Sequence, residues 1–164
     1  MATDQHKQDK ADLSKIEADS TFIHEQTDRY LETIGGQLNS ENMGLLNVNQ
    51  HTLLAYRIIL DEVMEGGFIQ LIQNGWGPYI FNNPFAKILR EWGEKDLANL
   101  IFSAGNYYRK HKEELEADMS EEDFMALYEA HEELNDMGDD FLDEIQEFST
   151  PSIANYVREH QESF

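Results

Sequence analysis

The sequence contains no cysteine, which excludes disulfide bonds, thiolate zinc sites and cysteine nucleophiles. No stretch approaches the ~18 consecutive apolar residues of a transmembrane helix, and the polar residues 1–15 do not resemble a signal peptide. We therefore expect a cytoplasmic protein. Basic residues are also scarce, because 12 Lys and Arg stand against 33 Asp and Glu, a net charge of −21.

The negative charge is concentrated in the last third of the chain. From His111 to Phe164, 18 acidic residues stand against two basic ones, a net of −16, whereas the first 110 residues carry 15 acids and ten bases, a net of −5. Such a surface repels nucleic acid and anionic lipid, and it attracts basic proteins, including proteins whose own ligand is DNA. Direct binding to nucleic acid or to a membrane is therefore not expected.

This acidic third is not a disordered tail, because apolar residues run through it. The chain is 40% hydrophobic and 11% aromatic, and Phe124, Tyr128 and Phe141 belong to apolar stripes at helical spacing. A length of 164 residues fits one domain. We expect residues 1–18 to form a polar, flexible segment and residues 19–164 to form a single compact helical domain.

Caps and apolar periodicity predict an all-α fold of seven or eight helices, without strands or internal repeats. One helix ends at Gly35-Gly36, and a dense apolar run capped by Asn49 forms a central helix that stops at Gly66-Gly67. The other predicted features are a helix over 68–73, a loop over 75–83, caps at Asn83-Pro84, Ser120 and Thr150-Pro151, an inward-facing stripe over 124–134 and a break at Gly138.

No catalytic or metal-binding motif emerges from the sequence. The glycines of the segment 66–77 lack the spacing of phosphate-binding loops, and we interpret them as helix caps and close-packing points. The segment 133–144 fails as an EF-hand because Met137 stands at a ligand position. His131 begins no HExxH motif, since the second histidine is replaced by Asn135. We therefore predict no catalytic residue, no cofactor and no metal ligand.

Two weaker alternatives concern polar clusters. Gln70 and Asn74 lie four residues apart on one helical face, which suits a ligand or, as we favour, the backbone of a neighbouring loop. With Trp76 and nearby carboxylates, these amides form the remote alternative of an enzyme or metal-dependent module. A weak cation site is a further alternative, among Asp136, Asp139, Asp140 and Asp143.

The acidic helices are the main candidate for a binding surface. Carboxylates four residues apart on a helix are separated by about 6 Å along its axis, so they can engage Lys and Arg side chains placed to grip a phosphate backbone. The alternative is a solvated face that only promotes solubility. The candidate partner-binding residues, called the acidic surface below, are Glu113, Glu114, Glu116, Asp118, Glu121, Glu122, Glu129, Glu132, Glu133, Asp136, Asp139 and Asp140.

Two groups of residues form a pattern with a counterpart in a known family. The first group is Gln50, Tyr56, Glu62, Gly66, Gly67, Phe68, Gln70, Asn74 and Gly77. The second is Asp139, Asp140, Phe141, Tyr156 and His160. Over residues 45–160 the pattern resembles a bacterial family of small acidic helical proteins, a domain of unknown function that includes a dimeric DNA mimic. Glu65 and Leu71-Ile72 depart from the family's pattern.

The resemblance implies an all-helical, often dimeric domain without enzymatic activity, so a homodimer is expected. The implied scaffold motif consists of Gly66, Gly67, Phe68, Gln70, Asn74 and Gly77, and we expect it to lie apart from the acidic surface. The functional hypothesis is a DNA mimic that occupies the basic DNA-binding surface of a transcription factor or nucleoid protein. The alternative partner is a basic toxin, neutralised as an immunity protein or antitoxin would do.

Overall fold

Eight α-helices form the structure, a computed structural model that describes the backbone of residues 2–164 and the side chains of residues 13–164. They are α1 (Ala2–Thr33), α2 (Val48–Gln73), α3 (Gly77–Phe81), α4 (Phe85–Glu91), α5 (Lys95–Glu116), α6 (Glu121–Ala130), α7 (Glu132–Asp140) and α8 (Gln146–Glu159). These residues contain no strand, so the predicted all-α fold is confirmed. None of the helices is long and apolar enough to cross a membrane within this described part of the chain.

The central element is α2, as its apolar density predicts. Residues 51–56 are all buried, and the helix packs against α1, α3, α4, α5 and α7. Its start is a capping box, in which Asn47 Oδ1 accepts from the Gln50 N–H while the Gln50 side chain accepts from the Asn47 N–H. The N-cap is therefore Asn47 and not the predicted Asn49, because only Asn47 has a glutamine three residues later.

The predicted stop at Gly66-Gly67 is an interruption of α2. Gly67 has φ +75° and ψ −176°, a backbone conformation that is essentially restricted to glycine. Beyond it the helix resumes and ends at Gln73, close to the predicted boundary. Since the interruption removes regular helical hydrogen bonds, other contacts must hold the two halves of α2 together.

Glu62 joins the two halves of α2. Its Oε2 accepts hydrogen bonds from Gln70 Nε2 at 3.0 Å and from Asn74 Nδ2 at 2.8 Å. The two amides lie on one helical face, as predicted, but their partner is this carboxylate and not the backbone of a loop. Their side chains therefore stabilise the interruption.

The aromatic stretch over 75–83, predicted as a loop, contains the short helix α3. Pro78 lies at its start, a position where proline favours a helix. The last two residues of α3 are buried, which agrees with the expectation that this stretch folds back onto the core. Asn83 does not cap α4, because its Nδ2 donates to Tyr79 O at 2.8 Å and Pro84 occupies the N-cap.

The inward-facing stripe over 124–134 belongs to two helices, because the chain breaks at His131 (φ −124°, ψ 50°) and not at the predicted Gly138. Gly138 lies inside α7 against the interruption of α2. A Cβ at this position would lie 3.6 Å from Val63 Cγ1 and 3.9 Å from Gly67 Cα. The glycine thus marks a close approach between α7 and α2.

Thr150-Pro151 does not begin the last helix. A π-helical segment, Phe141–Ile145, leads directly into α8, and Pro151 lies inside that helix. Thr150 is fully buried, with its Oγ1 2.5 Å from Tyr56 OH. This contact joins residues 94 positions apart, so a local proline signal is overridden by tertiary packing.

α1 packs along α8 and crosses the boundary predicted between residues 18 and 19. Its end before Gly35-Gly36 is confirmed, since both glycines have positive φ. Asp19 on α1 is buried and pairs with Arg158 Nη2 at 2.8 Å. Side chains of the first 12 residues lie outside the described residues, and the division into an N-terminal segment and a domain stays a prediction.

Candidate protein-binding surface

All twelve residues of the acidic surface are exposed. They lie on the last turn of α5, the connection over 117–120, α6 and α7. Two have a partner among residues 13–164: Glu114 Oε1 lies 3.1 Å from His131 Nε2, and Glu116 accepts a hydrogen bond from Tyr108 OH. The other ten carboxylates make no hydrogen bond or ion pair with the side chains that the structure describes.

The end of α5 is anchored to α2. Leu115 is fully buried, and Gln73 Nε2 donates hydrogen bonds to Leu115 O and to Ala117 O, the latter at 3.2 Å. A helix C-terminus leaves its last carbonyls without N–H partners, and Gln73 satisfies two carbonyls here. The carboxylates around residues 113–118 are therefore presented from a fixed helix end.

The start of α6 explains part of the acid cluster in structural terms. Ser120 Oγ accepts a hydrogen bond from the Asp123 N–H at 3.2 Å, which confirms the predicted cap. Glu121, Glu122 and Asp123 occupy the first turn. There the positive end of the helix dipole stabilises an acidic side chain by about 0.3–1 kcal/mol. These acids favour formation of α6 whether or not they also contact a partner.

α6 is attached to the interruption of α2. Tyr128 OH donates to Gly66 O at 2.6 Å, which supplies a hydrogen bond where the helical ladder is broken. Burial raises the pKa of Tyr128, so its hydroxyl remains a donor at neutral pH. Asn135 Nδ2 donates to Tyr128 O at 2.7 Å and ties α7 to α6. The scaffold motif therefore contacts α6 through Tyr128, which is not one of the twelve residues of the acidic surface.

His131 links α5 to the junction of α6 and α7. It is buried, with its Nδ1 2.6 Å from Tyr107 OH and its Nε2 near Glu114, although the second contact lacks hydrogen-bond geometry. The rings of Tyr107 and His111 pack with centroids 4.4 Å apart. Burial raises the pKa of Tyr107, and Glu133 and Glu114 raise it further. The sequence indicated an inward-facing His131 but not this connection.

The rest of the scaffold motif positions α5. A Cβ on Gly77 would lie 2.7 Å from the ring of Tyr108, so only glycine allows this approach. Phe68 is fully buried and packs near Phe81, with ring centroids 6.4 Å apart. The scaffold motif therefore holds the helices that carry the acidic surface.

The alternative metal and enzyme sites gain no support from the geometry. Within residues 13–164, no three His, Asp or Glu side chains converge in a way that could hold a metal ion. This applies to the segment 136–143, where a weak cation site was an alternative. Gln70 and Asn74 are engaged by Glu62, and Trp76 is half-buried, packing edge-on against Tyr79.

Comparison with known proteins identifies the family. A family model described as "DMP19-like protein" matches residues 44–160. The chain belongs to the DMP19-like family. A relative from Neisseria meningitidis serogroup B (strain ATCC BAA-335 / MC58), named DNA mimic protein DMP19, is 33% identical over 147 residues, which cover 88% of this chain and 87% of the relative. The family resemblance inferred from the scaffold motif is thus confirmed.

The region shared with the DMP19-like family contains the whole scaffold motif and all twelve residues of the acidic surface. It begins after α1 and includes α2 to α8. The contacts of Tyr128 with Gly66 and of Gln73 with the end of α5 therefore lie inside the family region. The acidic helices and the motif that holds them belong to the same family unit.

Proposed function

We propose that this protein is a non-enzymatic cytoplasmic DNA mimic, which occupies the basic DNA-binding surface of a transcription factor or nucleoid protein. The observation that carries the proposal is the set of ten exposed carboxylates, from the end of α5 to the end of α7, that make no hydrogen bond or ion pair with the side chains of residues 13–164. Membership of a family with a relative named a DNA mimic supports it.

Electrostatics sets the conditions under which such a surface binds. An exposed ion pair contributes only about 0.2–1 kcal/mol, so useful affinity requires several carboxylates to engage at once. A surface built to bind the phosphates of DNA offers several Lys and Arg side chains together. The contacts from Tyr128 and Gln73 hold the acidic helices before binding, which lowers the entropic cost of association.

Affinity capture from the native host, followed by displacement of the captured protein from DNA, tests the proposal. The test variant removes four charges from the acidic surface, and its substitutions are Glu113→Gln, Glu129→Gln, Asp136→Asn and Asp139→Asn. The matched control removes four exposed charges elsewhere, and its substitutions are Glu25→Gln, Glu32→Gln, Glu41→Gln and Glu91→Gln. Both variants have the same net charge, so only the position of the lost charges differs.

We expect the wild-type chain to capture a DNA-binding protein at low salt and to displace it from DNA. The test variant should bind this protein at least about tenfold more weakly, since four lost contacts of ~0.4 kcal/mol give that factor. The control variant should remain within about threefold of wild type, a difference of ~0.7 kcal/mol. Equal weakening of both variants, or capture of no basic protein, would contradict the proposal. Capture of a basic toxin would establish the immunity-type alternative instead.

A further inference from the structure

A cleft of about 740 Å³ lies between the start of α5 and the segment that leads into α8. Four carboxylates line it, and they belong to Glu94, Asp96, Asp140 and Glu144. Among residues 13–164, Lys95 is the one basic residue in its lining. Because Asp140 also belongs to the acidic surface, the cleft is continuous with the proposed binding face.

Glu94 is the unusual member of this set. Only 7% of its surface is exposed, and its Oε2 accepts a hydrogen bond from Ser149 Oγ at 3.0 Å. Its Oε1 is buried and meets no donor with hydrogen-bond geometry among the residues that the structure describes, although the Ser152 hydroxyl lies near the carboxylate. Burial raises the pKa of Glu94, and the Ser152 and Ser149 hydroxyls oppose this rise. A buried oxygen without a donor is costly, and a donor that enters the cleft from a ligand would satisfy it.

The charge of the cleft selects a cation. When ionised, its four carboxylates carry a charge of −4. Lys95 contributes +1 and the positive end of the α5 dipole about +0.5, so the net charge of the cleft is roughly −2.5. An inorganic ion is disfavoured, because no three of the described carboxylates converge on one point. A cation that spreads its hydrogen bonds over several groups fits better.

Phe148 adds an apolar element to the same cleft. This side chain is 78% exposed and lines the cleft next to Ser149. An exposed aromatic ring beside carboxylates is typical of sites that take a guanidinium, which stacks on the ring while its N–H groups bind oxygens. A lysine ammonium has no planar face for such stacking.

We propose that this cleft is the anchoring site for an arginine side chain of a basic protein partner. The guanidinium stacks on the Phe148 ring and donates to Glu94 Oε1 and to the neighbouring carboxylates. The identity of the partner rests on the proposed function. The chemistry of the cleft does not, because a small guanidinium compound tests it alone.

The test is an NMR titration of ¹⁵N-labelled full-length protein with N-acetyl-arginine amide, and with N-acetyl-citrulline amide as its uncharged isostere. The arginine compound should shift the amide signals around residues 93–96 and 144–149, and the citrulline compound should not. Glu94→Gln should weaken binding at least fivefold and Phe148→Ala at least threefold. Phe102→Ala, which removes another exposed aromatic ring outside this cleft, should leave the affinity unchanged.

Shifts spread evenly over the acidic surface, equal binding of the citrulline compound, or unchanged affinity of Glu94→Gln would overturn the inference. Should Glu94→Gln fail to fold, Phe148→Ala and the citrulline comparison test the arginine site instead. Phe148 is exposed, so its replacement should not disturb the fold. Binding in the cleft without capture of any DNA-binding protein would contradict the proposed function and support the cleft. Capture with DNA displacement but no arginine binding in the cleft would support the proposed function and contradict the arginine site.

Discussion

Replacement of Gly67 by alanine should destabilise the fold through backbone strain alone. At φ +75° and ψ −176°, Gly67 occupies a region that side-chain-bearing residues adopt only at a cost of about 1–3 kcal/mol. The added methyl group meets no crowded neighbour, since the nearest atom outside its own helix, Asn135 Oδ1, would lie 3.9 Å away. Steric overlap is therefore not part of the effect.

The net effect is smaller than the strain. Alanine restricts the unfolded chain more than glycine does, which offsets about 0.4–1 kcal/mol of the strain. We expect the free energy of unfolding to fall by about 1–2 kcal/mol after this correction. Urea unfolding followed by far-UV circular dichroism measures it directly. In a chain of this size the melting temperature should fall by about 2–4 °C for each kcal/mol.

Gly44→Ala provides the matched control, because Gly44 has no positive φ and no atom within 4 Å of an added Cβ. Its free energy of unfolding should remain within about 0.5 kcal/mol of wild type, as is usual for a surface substitution. A Gly67→Ala variant as stable as Gly44→Ala would show that the interruption of α2 does not require glycine. The structural explanation of the scaffold motif would then be refuted.

Two further predictions concern side-chain contacts. Tyr128→Phe removes the 2.6 Å hydrogen bond to Gly66 O and should lower the free energy of unfolding by about 1 kcal/mol in urea titrations, and no loss would show that this contact does not hold α6. The pKa of His24 is raised, chiefly by its hydrogen bond to Asp61. Protonated His24 therefore stabilises the fold below about pH 6.5, and this stability is lost as the pH rises through the raised pKa. Asp61→Asn should lower the His24 pKa in NMR titrations and flatten this part of the pH dependence of stability, and an unchanged His24 pKa would contradict the assignment.

The fold class could be predicted from local signals because short sequence motifs mark the ends of helices. The glycine pairs at 35–36 and 66–67 end or interrupt helices as expected, and Ser120 caps α6. The failures occur where distant contacts decide. Thr150 is buried against Tyr56, which is 94 residues away, so no local pattern could reveal that α8 continues through Pro151.

The exposure of the acidic surface also followed from the sequence, but the contacts that hold it did not. Tyr128 reaches Gly66 across 62 residues, and Gln73 reaches Leu115 across 42. Glu94 illustrates the same limit in the cleft. It is one of 33 acidic residues, and its burial depends on contacts such as that with Ser149, which is 55 residues away. Spacing alone does not distinguish it from a solvated acid.

The placement of Glu129 favours the proposal that the acidic surface does more than keep the protein soluble. Glu129 lies in the last turn of α6, which contains no basic residue. Glu113, Glu114 and Glu116 differ, because the non-helical backbone of His111 (φ −120°, ψ 20°) interrupts α5 and places them near a helix start as well as a helix end. The negative end of the helix dipole disfavours Glu129 by about 0.3–1 kcal/mol at low salt. Solubility would be served equally well by acids at helix starts, where they stabilise. Negative charge held where it opposes helix stability is expected of a surface whose role is to meet a basic partner.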